Sequence, residues 1–321
     1  MVSVLSILVS VLLAPVPLLG RAPEGGGTLT SALIKAAERG ETAQVRRLLD
    51  HGVPVEARDA EDFTALQRAS QRGNVPVMRL LITHHARVDA RNPRRQTALI
   101  VAARAAQPGA IRVLLDAGAD VNAREDNGAT ALVEAAGAGP AAPRRTAAVN
   151  ELLMRGTDVN AHDAITRTTA LLWAAMWNNA DVLKLLLDHG AAVNVRSWMG
   201  GETPLMFAAE NGSEKSVRRL LAHGADPHLR DNDGRTAYDW AVQGRHPAIA
   251  RLLKQWTSRS RAGRWTARTT TSASCPSPTP LPGDGRRRPQ RFDRSLHPPR
   301  HWEIRDEVAH GRQLPCWEWR S

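Results

Sequence analysis

The sequence predicts an all-α fold, a solenoid of stacked antiparallel helix pairs joined by β-hairpin loops. Three observations predict it. A segment of the form Thr-Pro-Leu recurs about every 33 residues between positions 28 and 256. Within each copy, apolar residues fall at helical spacing in two short runs. Most copies end in Gly, which readily adopts the left-handed conformation that follows a helix. Helices of about ten residues do not persist alone in water, so these units must stack on one another.

The clearest copy runs from Thr203 to Asp226. Thr203 stands where an N-cap belongs, and Pro204 takes the first helical position, where its missing N–H costs nothing. The first helix stops at Gly212 and the second at Gly224. The inner faces of the two helices are apolar, with Leu205, Ala208, Ala209, Val217, Leu220 and Leu221. This segment therefore predicts one unit of two antiparallel helices.

Six further copies follow the same pattern. Equivalent starts fall at Ser31, Thr64, Thr97, Thr130, Thr169, Thr203 and Thr236. Five copies repeat the Ala-Ala pair, and the end of the second helix recurs as Leu-Leu with Gly three residues later. A short extended motif then follows, for example Asp120 to Ala123, which reads Asp-Val-Asn-Ala. The chain therefore contains seven units.

A 33-residue period with Thr-Pro-Leu, Ala-Ala, Leu-Leu and Gly-Ala-Asp-Val-Asn resembles the ankyrin-repeat family over residues 28–256. The resemblance implies an ankyrin-repeat α-solenoid that binds another protein through its concave groove and its hairpin tips. A curved stack also offers a large preorganised surface. We expect a monomer. The partner's identity does not follow from the sequence.

The individual repeats differ in ways that have structural consequences. The first, which starts at Ser31, is more polar than the middle repeats and is predicted to cap the stack. In the second, His85 replaces the helix-ending glycine and Arg68 interrupts the Ala-Ala position. In the fourth, five extra residues fall within residues 137–145, where Gly and Pro predict a loose loop between the two helices. The seventh repeat ends after Leu253.

The chain begins with an apolar run. Residues 1–22 are predicted to be a signal peptide, with a single membrane anchor as the alternative, although no basic residue precedes the run. Residues 23–27 are predicted to be a flexible spacer. The two cysteines, Cys275 and Cys316, lie outside the repeats, which agrees with an oxidising compartment. The expected location is therefore periplasmic or secreted, with a membrane-anchored protein as the alternative.

The chain ends in a different composition. Residues 257–321 are rich in Pro, Ser, Thr and Arg without hydrophobic periodicity, which predicts a disordered basic tail. The tail holds 13 arginines and six acidic residues, so it carries +7 of the total charge of +11. A basic arm for nucleic acid or anionic lipid is one interpretation. The one that we favour is an accidental extension, which makes nucleic acid an unexpected partner.

No motif for catalysis, nucleotide binding or metal binding occurs in the repeats. We therefore predict a protein that is not an enzyme and uses no cofactor or metal, with an accessory or regulatory enzyme subunit as the alternative. Four histidines precede the position that ends the second helix: His51, His84, His189 and His223. Equivalent positions of stacked helices stand about 8–10 Å apart, too far to share one zinc ion. Each imidazole is therefore predicted to cap its own helix.

A row of arginines follows the extended motif, with His162 at the same place in the row. Its members are Arg58, Arg91, Arg124, Arg196 and Arg230. One interpretation is a basic ladder that attracts an acidic partner. The other is a solvated edge paired with Asp59, Glu125 and Asp231.

Aromatic residues are scarce, so their positions are informative. Trp173, Phe207 and Trp240 share one repeat position and are predicted to pack between helices. The resemblance implies that the two positions after Ala-Ala face the concave groove. These positions hold Met176 and Trp177 in one repeat and Glu210 and Asn211 in the next. Trp198 and Met199 lie at the tip of the following hairpin and are predicted to gather with Met176 and Trp177 into one exposed apolar patch. The predicted partner-binding residues are Met176, Trp177, Trp198, Met199, Glu210, Asn211, Arg196 and Arg230.

Overall fold

A computed structural model describes residues 26–137, 139 and 143–261. The predicted signal peptide, the first part of the spacer and the tail beyond residue 261 lie outside the described residues. Fourteen α-helices form within the described part. The first helices of the seven repeats are α1 (Gly26–Arg39), α3 (Ala65–Arg72), α5 (Ala98–Arg104), α7 (Ala131–Gly137), α9 (Ala170–Met176), α11 (Pro204–Glu210) and α13 (Ala237–Gln243). The second helices are α2 (Thr42–Asp50), α4 (Val75–Thr83), α6 (Pro108–Asp116), α8 (Pro143–Leu153), α10 (Ala180–Asp188), α12 (Glu214–Ala222) and α14 (Pro247–Arg261).

The helices form two layers. Each first helix packs against the first helix of the next repeat, each second helix packs against the next second helix, and the two helices of one repeat pack together. Equivalent apolar side chains fill the space between the layers in one continuous core, including Leu33, Leu66, Leu99, Leu132, Leu171 and Leu205. The α-solenoid predicted from the sequence is therefore confirmed.

The predicted N-caps are present in repeats two, three, five and six, whereas the buried hydroxyl of Thr130 in repeat four has no hydrogen-bond partner among the described residues. The hydroxyl oxygen of Thr64 accepts a hydrogen bond from the backbone N–H of Gln67 at 3.2 Å. Thr97, Thr169 and Thr203 accept the equivalent bond at 3.4, 3.3 and 3.4 Å. Each bond satisfies a donor that the first turn of the helix leaves without an intrahelical acceptor.

All four residues of the histidine row lie at the ends of second helices, and the predicted capping by the imidazole is present for His189 and His223. His51, His84, His189 and His223 are the C-cap residues of α2, α4, α10 and α12. The Nδ1 atom of His189 hydrogen-bonds the carbonyl oxygen of Leu185 at 2.8 Å, and that of His223 bonds the Arg219 carbonyl at 2.9 Å. A glycine with positive φ usually follows, such as Gly190 at 83°.

Three predicted boundaries are wrong. Helix α1 begins at Gly26, inside the predicted spacer, and Ser31 therefore lies within the helix instead of capping it. In repeat four, Pro143 to Arg145 form the first turn of α8, so only part of the insertion is a loop. Arg145 holds this turn in place, because its buried guanidinium donates to the Ala135 carbonyl at 2.8 Å. Helix α14 continues to Arg261, past the predicted end of the domain.

Helices with both the length and the apolar character needed to span a membrane do not occur in the described part of the chain.

Replacing His85 with glycine tests the cost of an irregular helix end. His85 has a φ of 63°, whereas the equivalent Gly118 has a φ of 85°. Glycine relieves about 1–2 kcal/mol of left-handed strain and loses roughly 0.5–1 kcal/mol of chain entropy. We therefore expect His85→Gly to raise the free energy of unfolding by about 0.5–1 kcal/mol in urea denaturation. Gly118→Ala is the matched control, because a Cβ there meets no atom within 4 Å. It should lower stability by a similar amount, and a destabilised His85→Gly would contradict the argument.

Candidate protein-binding site

Each repeat is joined to the next through hydrogen bonds at the base of the hairpins. At one position of repeats one to five, a side-chain oxygen accepts a backbone N–H of the following repeat. Asn160 accepts from Ala192 at 2.8 Å, and Asn194 accepts from Asp226 at 2.9 Å. The earlier pairs are Glu56 with Arg87, Asp89 with Asp120, and Asn122 with Asp158. We call this row the base ladder. It runs from repeat one to repeat six without interruption.

A second row, the arginine ladder, joins the hairpins nearer their tips. The Arg58 guanidinium donates to the Arg91 carbonyl at 3.1 Å, and Arg91 donates to the Arg124 carbonyl at 3.0 Å. Arg124 donates to the His162 carbonyl at 3.1 Å, and Arg196 donates to the Arg230 carbonyl. Each guanidinium therefore binds the main chain of the next repeat.

The arginine row matches neither sequence interpretation in detail. The acidic residues expected to pair with it are engaged elsewhere: Asp59 binds Arg68, Glu125 binds Arg104 and Asp231 binds Arg235. Arg196 and Arg230, both predicted to bind a partner, each form a hydrogen bond to a main-chain carbonyl, and the guanidinium of Arg230 donates to the Gly234 carbonyl at 2.6 Å. The sequence spacing was informative, but it could not identify carbonyl groups as the acceptors.

The arginine ladder is interrupted once. At His162 the guanidinium is missing. We number each hairpin by the repeat that follows it, so hairpin five is His162–Thr169 and hairpin six is Arg196–Thr203. Among the described residues no hydrogen bond joins hairpin five to hairpin six. Three other pairs of neighbouring tips share a backbone bond: Asp126 N–H to the Arg94 carbonyl at 3.0 Å, Ala164 N–H to the Asn127 carbonyl at 2.6 Å and Asn232 N–H to the Gly200 carbonyl at 2.8 Å. Only the base ladder therefore connects hairpins five and six.

Hairpins five and six are also longer than the other described hairpins. Each contains one more residue between its ladder position and the capping threonine. The tips carry large apolar side chains that are exposed: Ile165 by 66%, Trp198 by 64% and Met199 by 76%. We call these three residues the tip patch. Sequence analysis missed Ile165, although the step of 39 residues to Thr169 holds six extra residues and the helix-to-helix insertion uses only five.

Hydrogen bonds within the hairpins hold the tip patch in place. The Asp163 carboxylate accepts the backbone N–H groups of Ile165 at 3.0 Å and Thr168 at 2.9 Å. In hairpin six, the Ser197 hydroxyl donates to the Glu202 carboxylate. The apolar side chains therefore project from preorganised turns, which lowers the entropy cost of binding.

Met176 and Trp177 lie elsewhere, at the end of α9. The Trp177 indole N–H donates to the Gly137 carbonyl at 2.9 Å, so it caps the first helix of the preceding repeat. The Asn211 amide does the same for α9, because it donates to the carbonyls of Ala175 at 3.1 Å and Met176 at 3.0 Å. Two predicted site residues, Trp177 and Asn211, thus have structural partners within the chain.

The single patch of four residues predicted from the sequence is therefore divided. Asn211 bonds the end of α9, so the ends of α9 and α11 lie side by side. Trp198 and Met199 precede the beginning of α11, seven helical residues away. Seven residues of α-helix measure about 10 Å. The length of the first helix thus separates Met176 and Trp177 from the tip patch.

The groove face, the surface formed by the hairpins and first helices, changes character along the solenoid. In repeats three and four this face carries ion pairs, because Arg104 binds Glu125 at 2.8 Å and Glu134 at 2.7 Å. Burial raises the pKa of Glu125. In repeats five and six the positions equivalent to Glu134 hold Trp173 and Phe207, which are half-buried against the core, as predicted. The position equivalent to Arg104 holds the exposed Met176 in repeat five and Glu210 in repeat six.

Glu210 lies in this C-terminal part of the groove face and is half-buried. Burial raises its pKa, Arg235 opposes the rise and Glu202 adds to it. Arg235 itself stacks on the ring of Trp240 with 4.4 Å from Cζ to the centroid, and it pairs with the buried Asp231 at 2.9 Å. Although burial acts to raise the pKa of Asp231, hydrogen bonds from Arg235 and Trp240 lower it. These residues form a charged boundary beside the apolar section. No group of three potential metal ligands forms among the residues that the structure describes.

Comparisons with known proteins agree with this architecture. Family models described as ankyrin repeats match residues 33–82, 81–135, 140–231 and 200–259. The solved ankyrin repeat domain of Bcl-3, a member of the IkappaB protein family, is 31% identical over 65% of this chain and 93% of its own, with a TM-score of 0.56. The human ASB11 ankyrin repeat domain is 24% identical over 74% of this chain and 98% of its own, with a TM-score of 0.58, and shows the fold alone. None of the curated protein sequences matches the chain.

Replacing His162 with arginine tests the arginine ladder, because it restores the missing guanidinium. We expect His162→Arg to donate to the Arg196 carbonyl and to raise the free energy of unfolding by about 1 kcal/mol, the net value of one hydrogen bond. Urea denaturation measures this change. His162→Gln is the matched control, because its shorter side chain carries no guanidinium and should leave stability within about 0.5 kcal/mol. Equal free energies of unfolding for the two variants would show that the missing guanidinium at position 162 does not affect stability.

Proposed function

Because the chain belongs to the ankyrin-repeat family, we propose that it is a scaffold whose partner protein binds the tip patch and the apolar section of the groove face. Ankyrin repeats are generally protein–protein interaction modules and are typically not enzymes. The proposal specifies where on the solenoid the partner binds.

The tip patch is the observation that carries this proposal. Ile165, Trp198 and Met199 are largely exposed, although the solenoid core is already filled by leucines and alanines. Exposed tryptophan and methionine on preorganised turns are typical of residues that contribute most to binding energy at interfaces. Met176, with 37% exposure, extends the apolar surface into the groove face.

The interruption of the arginine ladder supports the same location. Hairpins five and six each contain one extra residue and share no hydrogen bond near their tips. A partner side chain that inserts between these tips therefore breaks no existing hydrogen bond between the two hairpins. Elsewhere along the edge, an inserting partner would first have to break a guanidinium–carbonyl bond.

We further propose that the protein acts outside the cytoplasm. The proposal rests on the apolar run in residues 1–22, and the absence of cysteine from residues 26–261 supports it. A solenoid without thiols needs no reducing environment, because repeat stacking supplies its core.

Alanine substitutions in the tip patch should weaken partner binding. We expect Trp198→Ala to cost about 2 kcal/mol of binding free energy, roughly thirtyfold in Kd, because an exposed tryptophan contributes most once a partner covers it. Ile165→Ala should cost about 1 kcal/mol. Bead-bound protein exposed to an extract of the source cells, with quantitative mass spectrometry of the retained proteins, identifies the partner. Titration of that partner then gives both affinities.

Two controls separate binding from folding in that experiment. Met154→Ala removes an equally exposed side chain after α8, in the second-helix layer, and should leave binding unchanged. Trp177→Phe removes the indole N–H that caps α7 while keeping an aromatic ring, and should lower the free energy of unfolding by about 1 kcal/mol or more with unaltered affinity. Retention of the same proteins by wild type and Trp198→Ala would refute the tip patch as the binding site.

Export predicts a shortened chain. Intact-mass measurement of the native protein should show a new N-terminus near residues 20–23, because signal peptidase removes the apolar run. A soluble native protein that still begins at Met1 or Val2 would contradict export.

A further inference from the structure

The last repeat has one face against which no further repeat packs in the described part of the chain. A surface cavity of about 390 Å³ lies on this face. Residues from α13 and α14 and from their connection line it, among them Tyr238, Val242, Ala250, Arg245, Arg251 and Lys254. We call this surface the end face. It is separate from the tip patch, and binding at the end face is independent of the function proposed for that patch.

The end face exposes apolar side chains. Tyr238 is 40% exposed and Val242 is 53% exposed, and the two stand one helical turn apart on α13. The terminal repeats of a solenoid ordinarily present a polar outer face, which keeps the protein soluble. An exposed apolar pair beside a cavity therefore departs from what solubility alone requires.

The charge around this apolar pair has one sign. Arg245, Arg251 and Lys254 are exposed, and none of the three forms an ion pair with a described residue. Helix α14 contains no acidic residue, and the carboxylate of Asp239, the one acidic residue of α13, accepts hydrogen bonds from the backbone N–H and hydroxyl of Thr236. The opposite end of the solenoid differs, because there Arg39 pairs with Glu41 at 3.7 Å.

Two backbone features add to the positive potential and to the openness of the site. Pro247, which lines the cavity, begins a helix of 15 residues, whose N-terminus carries partial positive charge. Arg245 adopts a φ of 61° at the position that Gly40, Gly73 and Gly212 occupy in other repeats. Side chains of the following repeat lie over those glycines, whereas no repeat follows Arg245.

We propose that the end face binds an acidic segment of a partner protein. An apolar side chain of the segment fills the cavity against Tyr238 and Val242, and its carboxylates face Arg245, Arg251 and Lys254. Charge complementarity selects this occupant. The chain's own residues 262–321 hold eleven arginines against six acidic residues, a net charge of +5, so the tail as a whole has less charge complementarity to the end face than an acidic segment.

The single tyrosine of the chain makes occupancy measurable in the intact protein. Tyr238 is the only tyrosine, so nitration by tetranitromethane reports on this residue alone. The probe is a peptide of three Glu-Glu-Leu-Leu repeats, and its control replaces every Glu with Lys. We expect the acidic peptide to slow nitration at least threefold and the basic peptide to leave the rate unchanged. Slow nitration before any peptide is added would show that the chain itself covers the face, and this result would overturn the proposal.

Charge reversal then tests whether the cations of the end face select the acidic probe. Fluorescence anisotropy with labelled peptide should show about tenfold weaker binding for Arg251→Glu combined with Lys254→Glu. The matched control is Arg46→Glu combined with Arg47→Glu on α2, which makes the same change in net charge at the other end of the solenoid. The control should bind within twofold of wild type. Equal weakening in both double variants, or equal binding of the acidic and basic peptides, would refute a specific acidic site.

Discussion

The structure depends on hydrogen bonds that each repeat makes with the next. Helices of seven to nine residues, such as α9 and α10, are too short to be stable alone, and their end groups lack intrahelical partners. The following repeat supplies those partners. Trp177 caps α7 and Asn211 caps α9. At the base of the hairpins the direction is reversed, because Asn160 of the preceding repeat accepts the N–H of Ala192. Apolar stacking fills the core, but these polar contacts fix the register between repeats.

Each junction between neighbouring repeats can change independently of the others, because a solenoid has no contacts between distant repeats. Junctions with both ladders are held at the base and near the tip. The junction between hairpins five and six is held at the base alone, through Asn160 and Ala192. A single residue, His162, is therefore enough to change one junction while its neighbours stay intact. The same junction carries Ile165 and Trp198 on its tips, so the local loss of polar contacts coincides with the local gain of apolar surface.

Sequence analysis predicted the features that repeat and are local. The threonine caps, the histidine C-caps and the apolar layers each follow from residues within one helix length. It failed where an acceptor belongs to another repeat: the arginine ladder ends on carbonyl groups, which leave no trace in the side-chain pattern. It also placed Trp177 and Trp198 together, although a helix of about 10 Å separates the two positions. The start of α1 at Gly26 differs from the prediction because glycine locally favours a flexible loop, whereas the helix that contains the buried Leu33 extends back to Gly26.

The C-terminal end of the solenoid shows how the surface changes where no further described repeat stacks on it. At internal junctions, a side chain such as Asn74 or His246 covers the left-handed residue of the preceding repeat. At the C-terminal end, Arg245 has the same backbone conformation, but no following repeat covers it. Helix α14 extends to 15 residues, which lengthens the last layer without adding a new one. The end face therefore lies where an eighth repeat would stack, and its exposed charges are positive. A partner that binds there would occupy the position of an eighth repeat.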